Sequence, residues 1–345
     1  MANATLTRVV LAHHISGAPT PADFRIETVP IPELAEHQFL VANDYVSADP
    51  GTRSRLSPGA SYAPPLQPGA TIDGFSVGRV VESRNEKFAV GALLTLGAGG
   101  WATHSISNGR GYVAALPDLG VPATAWLGAL GVPGMTAYFG LKRVAEMRAG
   151  ANVLVTSAAG PVGATTGQLA KIWGAGKVVG LAGGTDKRRW LTEEAGFDAA
   201  IDYRAADLDA QLAAAFPEGV DVLFDNVGNA MIDRVLPLMR PRGRIVVSGM
   251  VADYNRTPAE APGLHNTREF IGRRLRMEGL VVFDDLPAFP AAQAEVAALI
   301  RSGQLKTREV IRDGVEALPA LFSELFEGGS ADFGRRLVRV NGAGA

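Results

Sequence analysis

A glycine-rich turn in the middle of the chain has the composition of a phosphate-binding loop. The apolar run Val153–Ser157 is followed by Ala158–Gly163, which matches G-x-G-x-x-G with alanine in the first glycine position. The pattern requires glycine at Gly160, where the backbone would approach a pyrophosphate, and at Gly163, where a helix would pack closely on a strand. A strand-to-helix turn without a ligand is the alternative, but the strand and helix patterns around the turn favour a nucleotide.

The helix after this turn would supply the anion-binding groups. Pro161 suits the first position of a helix, because the N–H group that proline lacks has no partner there. The free N–H groups of the first turn and the helix dipole then attract a pyrophosphate. The predicted contacts are Ala159, Gly160, Pro161, Val162 and Gly163.

The residues after the next apolar run favour a phosphorylated dinucleotide. An NAD-selective fold places an acidic residue at the end of its second strand, where it binds the ribose 2′-hydroxyl. Here Val178–Ala182 leads into Gly183–Thr185, and the cations Lys187–Arg189 follow. These cations suit a 2′-phosphate, so NADPH is the predicted cofactor. Alternatively, Thr185 or Asp186 caps a helix and the basic residues are solvated. Capping and phosphate binding can both hold, since only one of the cations needs to reach the 2′-phosphate.

The composition excludes several other kinds of site. The chain has 345 residues, a net charge of −2, no cysteine and five histidines without a paired-ligand spacing. Disulfides and thiolate zinc sites are therefore excluded, and we expect no bound metal. The charge balance gives no sign of a nucleic-acid or membrane surface. No run approaches the roughly 20 apolar residues of a membrane span, and no signal peptide is apparent, so we expect a cytoplasmic protein.

Two regions of different pattern follow one another. Up to about Leu116, short β-like runs such as Gly78–Glu82 and Ala92–Leu96 alternate with turn signals, which indicates a β-rich domain. Beyond Pro122, apolar runs alternate with amphipathic stretches, which predicts βαβ units on a parallel sheet. The predicted strands there are Val153–Ser157, Val178–Ala182, Asp221–Asp225, Arg244–Gly249, Met277–Phe283 and Arg336–Val340. The predicted helices are Pro161–Trp173, Asp186–Ala195, Asp207–Ala215, Ala230–Met239, Ala291–Leu305 and Leu318–Phe326.

Seven segments carry a family resemblance. They are Ser61–Pro65, Gly78–Ser83, Gly131–Gly140, Ala158–Gly163, Asp225–Gly228, Ser248–Thr257 and Leu275–Glu278. Taken together, the chain resembles the prostaglandin reductase and alkenal/one (double-bond) reductase branch of the zinc-free medium-chain dehydrogenase/reductases, which includes the bacterial curcumin-reductase-like proteins. The resemblance implies an α/β fold, with a doubly wound parallel Rossmann sheet over residues 125–299. It further implies a β-rich GroES-like domain over residues 1–124, completed by 300–345, and a homodimer.

The resemblance also implies roles for single residues. Lys187 and Tyr203 would hold the 2′-phosphate, and Asn226 would lie against the cofactor. The backbone from Ser248 to Tyr254 would line its adenine-to-ribose side. The remaining implied cofactor contacts are Met135, Thr136, Gly183, Gly249, Met250, Leu280, Val281, Val282 and Asp332.

Two departures limit this transfer. Relatives often carry Asp-Pro-Tyr-Met-Arg in an early loop, whereas this chain has Asp49–Arg53 with glycine at Gly51, so substrate preference does not transfer. Asp332 stands where relatives commonly have asparagine, and a carboxylate is a poorer partner for an amide.

The reaction that fits these residues is reduction of a carbon–carbon double bond. Hydride addition from NADPH to the β-carbon of an α,β-unsaturated ketone or aldehyde leaves an enolate, which a hydroxyl donor can stabilise. Tyr254 is the predicted donor, although a loop tyrosine can simply be packing, and Tyr62 is predicted to line the substrate pocket. A quinone reductase of the same superfamily and a non-catalytic NADPH-binding protein are the alternatives.

Overall fold

The chain folds into two compact units. The computed structural model describes residues 4–58, 64–257, 259–327 and 332–341. The first unit comprises Met1–Leu127, Glu309–Ser330 and Arg335–Ala345, and the second comprises Gly128–Arg308 and Ala331–Gly334. Residues 125–127 thus lie with the first unit and residues 300–308 with the second, unlike in the predicted division.

The described residues form fifteen strands and eight α-helices. The strands are β1 (Thr5–Leu11), β2 (Phe24–Pro30), β3 (Phe39–Ser47), β4 (Ser76–Ser83), β5 (Leu93–Leu96), β6 (His104–Ser107), β7 (Val113–Ala115), β8 (Asn152–Val155), β9 (Lys177–Leu181), β10 (Ala199–Ile201), β11 (Val220–Asp225), β12 (Met239–Val247), β13 (Arg276–Gly279), β14 (Glu309–Asp313) and β15 (Arg335–Arg339). The helices are α1 (Val132–Phe139), α2 (Pro161–Ile172), α3 (Thr185–Glu193), α4 (Leu208–Ala215), α5 (Asn229–Val235), α6 (Arg268–Arg273), α7 (Phe289–Arg301) and α8 (Leu318–Ser323).

The first unit is rich in β structure. Strands β1 and β2 pair with each other, and a seven-stranded sheet has the order β14-β15-β3-β4-β5-β7, with β6 also pairing with β3. The C-terminal strand β15 runs antiparallel to β3, with Val338 opposite Val46. Its core includes the packed rings of Phe24, Trp101 and Phe322.

The second unit is a six-stranded sheet in the order β10-β9-β8-β11-β12-β13, and every neighbouring pair is parallel. Chain order proceeds outwards from the central strand β8 in both directions, which is the doubly wound topology. Leu154, Val179 and Leu223 are fully or almost fully buried in its core. The predicted α/β fold class is confirmed.

Several predicted elements were wrong in extent. The predicted strand Met277–Phe283 ends at Gly279, and a 3₁₀ helix spans Val282–Ala288. The predicted helix to Met239 ends at Val235; a 3₁₀ turn containing Pro237 follows, and Met239 begins β12. Proline after the helix explains this early end, because it cannot continue the pattern of backbone hydrogen bonds.

No helix in the described part of the chain is long and apolar enough to cross a membrane.

Candidate functional site

The glycine-rich turn packs closely against its own backbone at both of its glycines. Gly160 is the N-terminal cap of α2, and Pro161 is its first residue, as the sequence predicted. A Cβ atom added at Gly163 would lie 2.5 Å from the carbonyl oxygen of Ser157, and one at Gly160 would lie 3.2 Å from it. Glycine at both positions therefore lets the turn fold closely at the N-terminus of α2, which is the arrangement of dinucleotide-binding turns.

Ala158 occupies the first glycine position because β9 carries the glycine instead. The N–H group of Ala158 donates to the carbonyl oxygen of Leu181 at 2.9 Å. A Cβ atom added at Gly180 would lie 2.7 Å from the Cβ atom of Ala158. The methyl group that departs from the pattern is thus accommodated by the neighbouring strand.

The end of β9 gathers the groups predicted to bind the 2′-phosphate. A Cβ atom added at Gly183 would lie 2.9 Å from Cε1 of Tyr203 and 2.8 Å from Nη2 of Arg204. The Arg204 guanidinium lies 5.4 Å from the centre of the Tyr203 ring. Lys187 lies half-exposed in the first turns of α3, whose N-terminus faces the same end of β9. The structure therefore brings Gly183 and Tyr203 together and adds Arg204 to them.

Sequence reasoning missed Arg204 and misassigned the cap of α3. Arg204 directly follows the segment ending in Tyr203, so a search for further cations after the predicted 2′-phosphate residues would have found it. Gly184 caps α3 without a side-chain hydrogen bond, so the alternative in which Thr185 or Asp186 caps the helix was wrong. The short side chain of Thr185 already lies in the first helical turn, and Asp186 pairs with Arg189 at 2.9 Å.

An acidic residue lies near the end of β9, contributed by β10. Asp202 accepts hydrogen bonds from the N–H groups of Arg204 at 3.0 Å and Gly184 at 3.4 Å. The backbone hydrogen bond from Arg204 holds the pKa of Asp202 below its ordinary value. Because its oxygens already accept these bonds, the Asp202 carboxylate is oriented by the turn rather than presented alone to a ribose.

A buried polar network joins the ends of β8, β11 and β12. Thr156 donates from Oγ1 to Asp225 Oδ1 at 2.8 Å, and Asn226 donates from Nδ2 to the Thr156 carbonyl at 2.9 Å. Ser248 donates from Oγ to Asn226 Oδ1 at 2.7 Å. These bonds fix the Asn226 side chain from both of its polar atoms, so it is held rigidly at the carboxyl edge of the sheet.

Asp225 is the titratable group at the base of this network. It is fully buried, and its Oδ2 atom accepts from the N–H group of Gly228 at 2.8 Å. Burial raises the pKa of the Asp225 carboxyl from 3.8 to about 6, against the opposing effect of its hydrogen bonds from Thr156 and Gly228. The ionised form is therefore costly to hold in the folded protein.

The Asp225→Asn variant should lose the pH dependence of stability that comes from titration of the Asp225 carboxyl. A folded-state pKa above the unfolded value gives stability that is present below about pH 4 and is lost as the pH rises through about 6. The free energy of unfolding of the wild type, relative to the variant, should therefore fall by on the order of 2–3 kcal/mol between pH 4 and pH 7. Urea unfolding across that range measures it, and parallel pH curves for the two proteins would contradict it.

Tyr254 lies on a loop that follows β12 and folds back on this network. The loop is tied to β11 by hydrogen bonds from Val251 N to the Asn226 carbonyl and from Ala252 N to the Val227 carbonyl. The Tyr254 hydroxyl accepts from Met250 N at 3.3 Å. A Cβ atom added at Gly249 would lie 3.6 Å from the same hydroxyl. The hydroxyl thus lies beside the Ser248–Met250 backbone that was predicted to line the cofactor.

The other predicted site residues are distributed as follows. Met135 and Thr136 are buried in α1, and Thr136 donates its hydroxyl to the Val132 carbonyl. The predicted group Leu280–Val282 follows β13, with Val281 half-exposed and Val282 buried. Asp332 lies in the short segment that belongs to the second unit. Tyr62 lies outside the described residues.

No group of three or more potential metal ligands occurs among the residues that the structure describes.

Comparison with known proteins places the chain among oxidoreductases. A family model described as the N-terminal domain of oxidoreductase matches residues 7–115, and one described as zinc-binding dehydrogenase matches residues 161–299. The cysteine ligands that such zinc sites use are absent, since the chain contains no cysteine.

Individual relatives match almost the whole chain. The NADPH-dependent curcumin reductase of Escherichia coli is 39% identical, with 97% of each chain covered. The NADP⁺-dependent 2-alkenal reductase of Nicotiana tabacum is 38% identical, again with 97% of each covered. The crystal structure of CurA from Vibrio vulnificus in complex with NADPH superposes with a TM-score of 0.88, at 33% identity, covering 97% of this chain and 99% of that one. The chain therefore belongs to the medium-chain dehydrogenase/reductase family, in the branch of the curcumin and 2-alkenal reductases.

Proposed function

We propose that this protein reduces the carbon–carbon double bond of α,β-unsaturated ketones and aldehydes with NADPH. The observation that carries the proposal is the similarity over 97% of the chain to reductases of curcumin and 2-alkenals. The glycine-rich turn and the cations at the end of β9 support NADPH as the cofactor.

The second unit supplies the groups that would bind NADPH, which donates the hydride when bound. The α2 N-terminus, from Gly160 to Gly163, would bind the pyrophosphate through its free N–H groups. Lys187, Tyr203 and Arg204 would bind the 2′-phosphate by charge-assisted hydrogen bonds. Asn226, fixed by Thr156 and Ser248, would orient the cofactor beside the sheet.

Tyr254 would stabilise the charge that develops on the substrate. Hydride addition at the β-carbon moves an electron pair onto the carbonyl oxygen, and the enolate there needs a hydrogen-bond donor. The Tyr254 hydroxyl accepts a hydrogen bond from Met250 N, and such a bond polarises the O–H group and strengthens it as a donor. The α-carbon of the enolate then takes a proton from a water molecule, which leaves as hydroxide, and the reduction is complete.

A panel of three substrates tests the proposed reaction. NADPH oxidation is followed with an enone, an enal and a quinone, before and after dialysis against a chelator. We expect turnover of the enone and the enal, unchanged by the chelator because the chain offers no thiolate zinc ligand. Turnover of the quinone alone would favour a quinone reductase, and turnover of none would favour a non-catalytic NADPH-binding protein.

We also propose that the protein is a cytoplasmic homodimer. Strand β13 ends the six-stranded sheet, and within the described ranges no strand pairs with its outer edge, while Ile271 and Met277 near it are 85% and 38% exposed. An open edge beside apolar side chains suits pairing with a second copy. Light scattering should give twice the chain mass of 36.1 kDa, and a monomer mass would refute the proposal. Use of NADPH, a reductant regenerated inside cells, supports the cytoplasmic location.

A further inference from the structure

A cavity lies at the opposite end of the Rossmann strands from the glycine-rich turn. It has a volume of about 660 Å³ and is lined by the segment before β8, the beginning of β11, the first half of β12 and the residues around the start of β13. Val222 is level with Val153 on one side and with Arg244 on the other, and Arg244 is level with Arg276. The cavity therefore opens at the amino ends of these strands, whereas the proposed cofactor site lies at their carboxyl ends.

Arginine side chains dominate the lining of this cavity, which we call the arginine cavity. Six arginines line it against two acidic residues, so the lining carries a formal surplus of four positive charges (six minus two). The six are Arg148, Arg240, Arg242, Arg244, Arg274 and Arg276. Glu146 pairs with Arg244 at 2.8 Å and with Arg276 at 3.2 Å, and Asp221 pairs with Arg240 at 3.3 Å. Both acids are thereby engaged, and half of the arginines lie outside these three pairs.

Arg244 has an unsatisfied donor in the cavity wall. Its Nη2 atom donates to Glu146, whereas its Nη1 atom is buried and has no hydrogen-bond partner among the described residues. A buried charged donor without a partner is costly, because it has lost its water without gaining an acceptor. Arg244 therefore keeps a donor that its ion pair with Glu146 leaves unused.

The backbone around the cavity adopts an unusual conformation. Five non-glycine residues of the described chain have positive φ angles, and three of them line this cavity: Glu146 at 47°, Arg242 at 68° and Arg274 at 52°. The left-handed region is unfavourable for side chains with a Cβ atom, and such strain is concentrated at functional sites in proteins. Here it occurs at three charged residues, with Glu146 in the segment before β8, Arg242 within β12 and Arg274 at the C-terminal cap of α6.

We propose that the arginine cavity binds a small anion carrying two or three linked phosphate groups. The guanidinium group binds phosphate through two parallel hydrogen bonds, and arginine stays charged at every physiological pH. Glu278, outside the lining, also pairs with Arg276, and the remaining surplus of three positive charges (four minus one) matches a pyrophosphate or triphosphate chain better than a single phosphate. The volume lies within the range of roughly 300–1,000 Å³ that is usual for small-molecule sites. This site is separate from the proposed reductase site and does not depend on its activity.

Titration calorimetry with inorganic triphosphate tests the proposal. The protein is first saturated with NADP⁺, so that the glycine-rich turn is occupied, and the titration is run in 0.15 M salt. The variant pair is Arg148→Gln with Arg242→Gln, two exposed arginines outside the three ion pairs. The control is Arg110→Gln, an exposed arginine of the first unit with the same loss of charge.

We expect one triphosphate site per chain. The affinity for triphosphate should be at least tenfold weaker in the double variant and unchanged in the Arg110 variant. ATP should bind with similar affinity, because the phosphate chain is the recognised group. No binding to the wild type, equal binding to the double variant, or an equal loss in the Arg110 variant would overturn the proposal. The proposal would also be overturned if the protein bound ATP but not triphosphate. It would equally be overturned if a DNA duplex bound more tightly than triphosphate and the double variant lost that DNA binding. Unchanged melting temperatures of the variants without ligand exclude unfolding as the cause of a loss.

Discussion

Replacing Tyr254 with phenylalanine should slow the reduction of an enone by roughly 10²–10³-fold in the chemical step, the usual cost of removing one donor to a developing oxyanion. The variant keeps the ring and loses only the hydroxyl, which lies beside the Ser248–Met250 backbone at the carboxyl ends of the parallel strands. NADPH affinity should therefore change little, because the lost interaction is made in the transition state. Single-turnover kinetics measures the chemical step directly, since slow product release would hide a defect in kcat.

A matched variant separates this role from ordinary packing. The Tyr138 hydroxyl of α1 donates to Glu295 of α7 at 2.6 Å, within the same unit as Tyr254. Tyr138→Phe removes a hydrogen-bonded hydroxyl as well and should leave the chemical step near that of the wild type. If the Tyr254 variant reduces enones within threefold of the wild-type rate, Tyr254 is a packing residue. The hydrogen-bond donor to the enolate would then be a water molecule or the ribose hydroxyl of the cofactor.

The second large effect concerns the choice between NADPH and NADH. Lys187→Ala and Arg204→Ala should each weaken NADPH binding by about 10- to 100-fold, as expected for losing one hydrogen bond between charged groups. NADH affinity should stay nearly constant, because NADH lacks the 2′-phosphate that these cations would bind. Fluorescence titration with both cofactors measures the four affinities and those of the wild type.

Arg189→Ala is the control for general loss of positive charge. Arg189 lies in the same helix as Lys187 but is paired with Asp186 on an exposed surface. It should leave the preference unchanged. Equal affinities of the wild type for the two cofactors would refute the NADPH assignment, and an unchanged preference in both test variants would remove Lys187 and Arg204 from its explanation.

The parts of the site that depend on local pattern could be predicted from the sequence. The turn from Ala158 to Gly163 and the start of α2 at Pro161 follow from glycine and proline stereochemistry, and the structure has both. The parallel sheet followed from apolar runs between amphipathic helices. Strand β14 could not be found in this way, because its residues are half-exposed and alternate with charges instead of forming an apolar run.

The polar groups around the site depend on contacts between distant residues. Thr156 and Asp225 are 69 positions apart, and only the pairing of β8 with β11 brings them together. Ala158 was recognised as a departure from the glycine pattern, but its compensation by Gly180 depends on the pairing of β8 with β9. Arg204 could have been found as the cation next to Tyr203, but its approach to Gly183 depends on the pairing of β10 with β9.

The position of β15 has a consequence for the order of events on the ribosome. This last strand lies between β14 and β3, so the sheet begun near the start of the chain is completed only by its final residues. The residues of the parallel sheet, from β8 to β13, have all been synthesised before then. We expect the Rossmann unit to gain its packing during translation, while the earlier-synthesised β-rich unit waits with the Tyr45–Ser47 end of β3 lacking its β15 partner. A nascent chain stalled before Arg335 should therefore protect the second unit from protease and leave the first unit open to it.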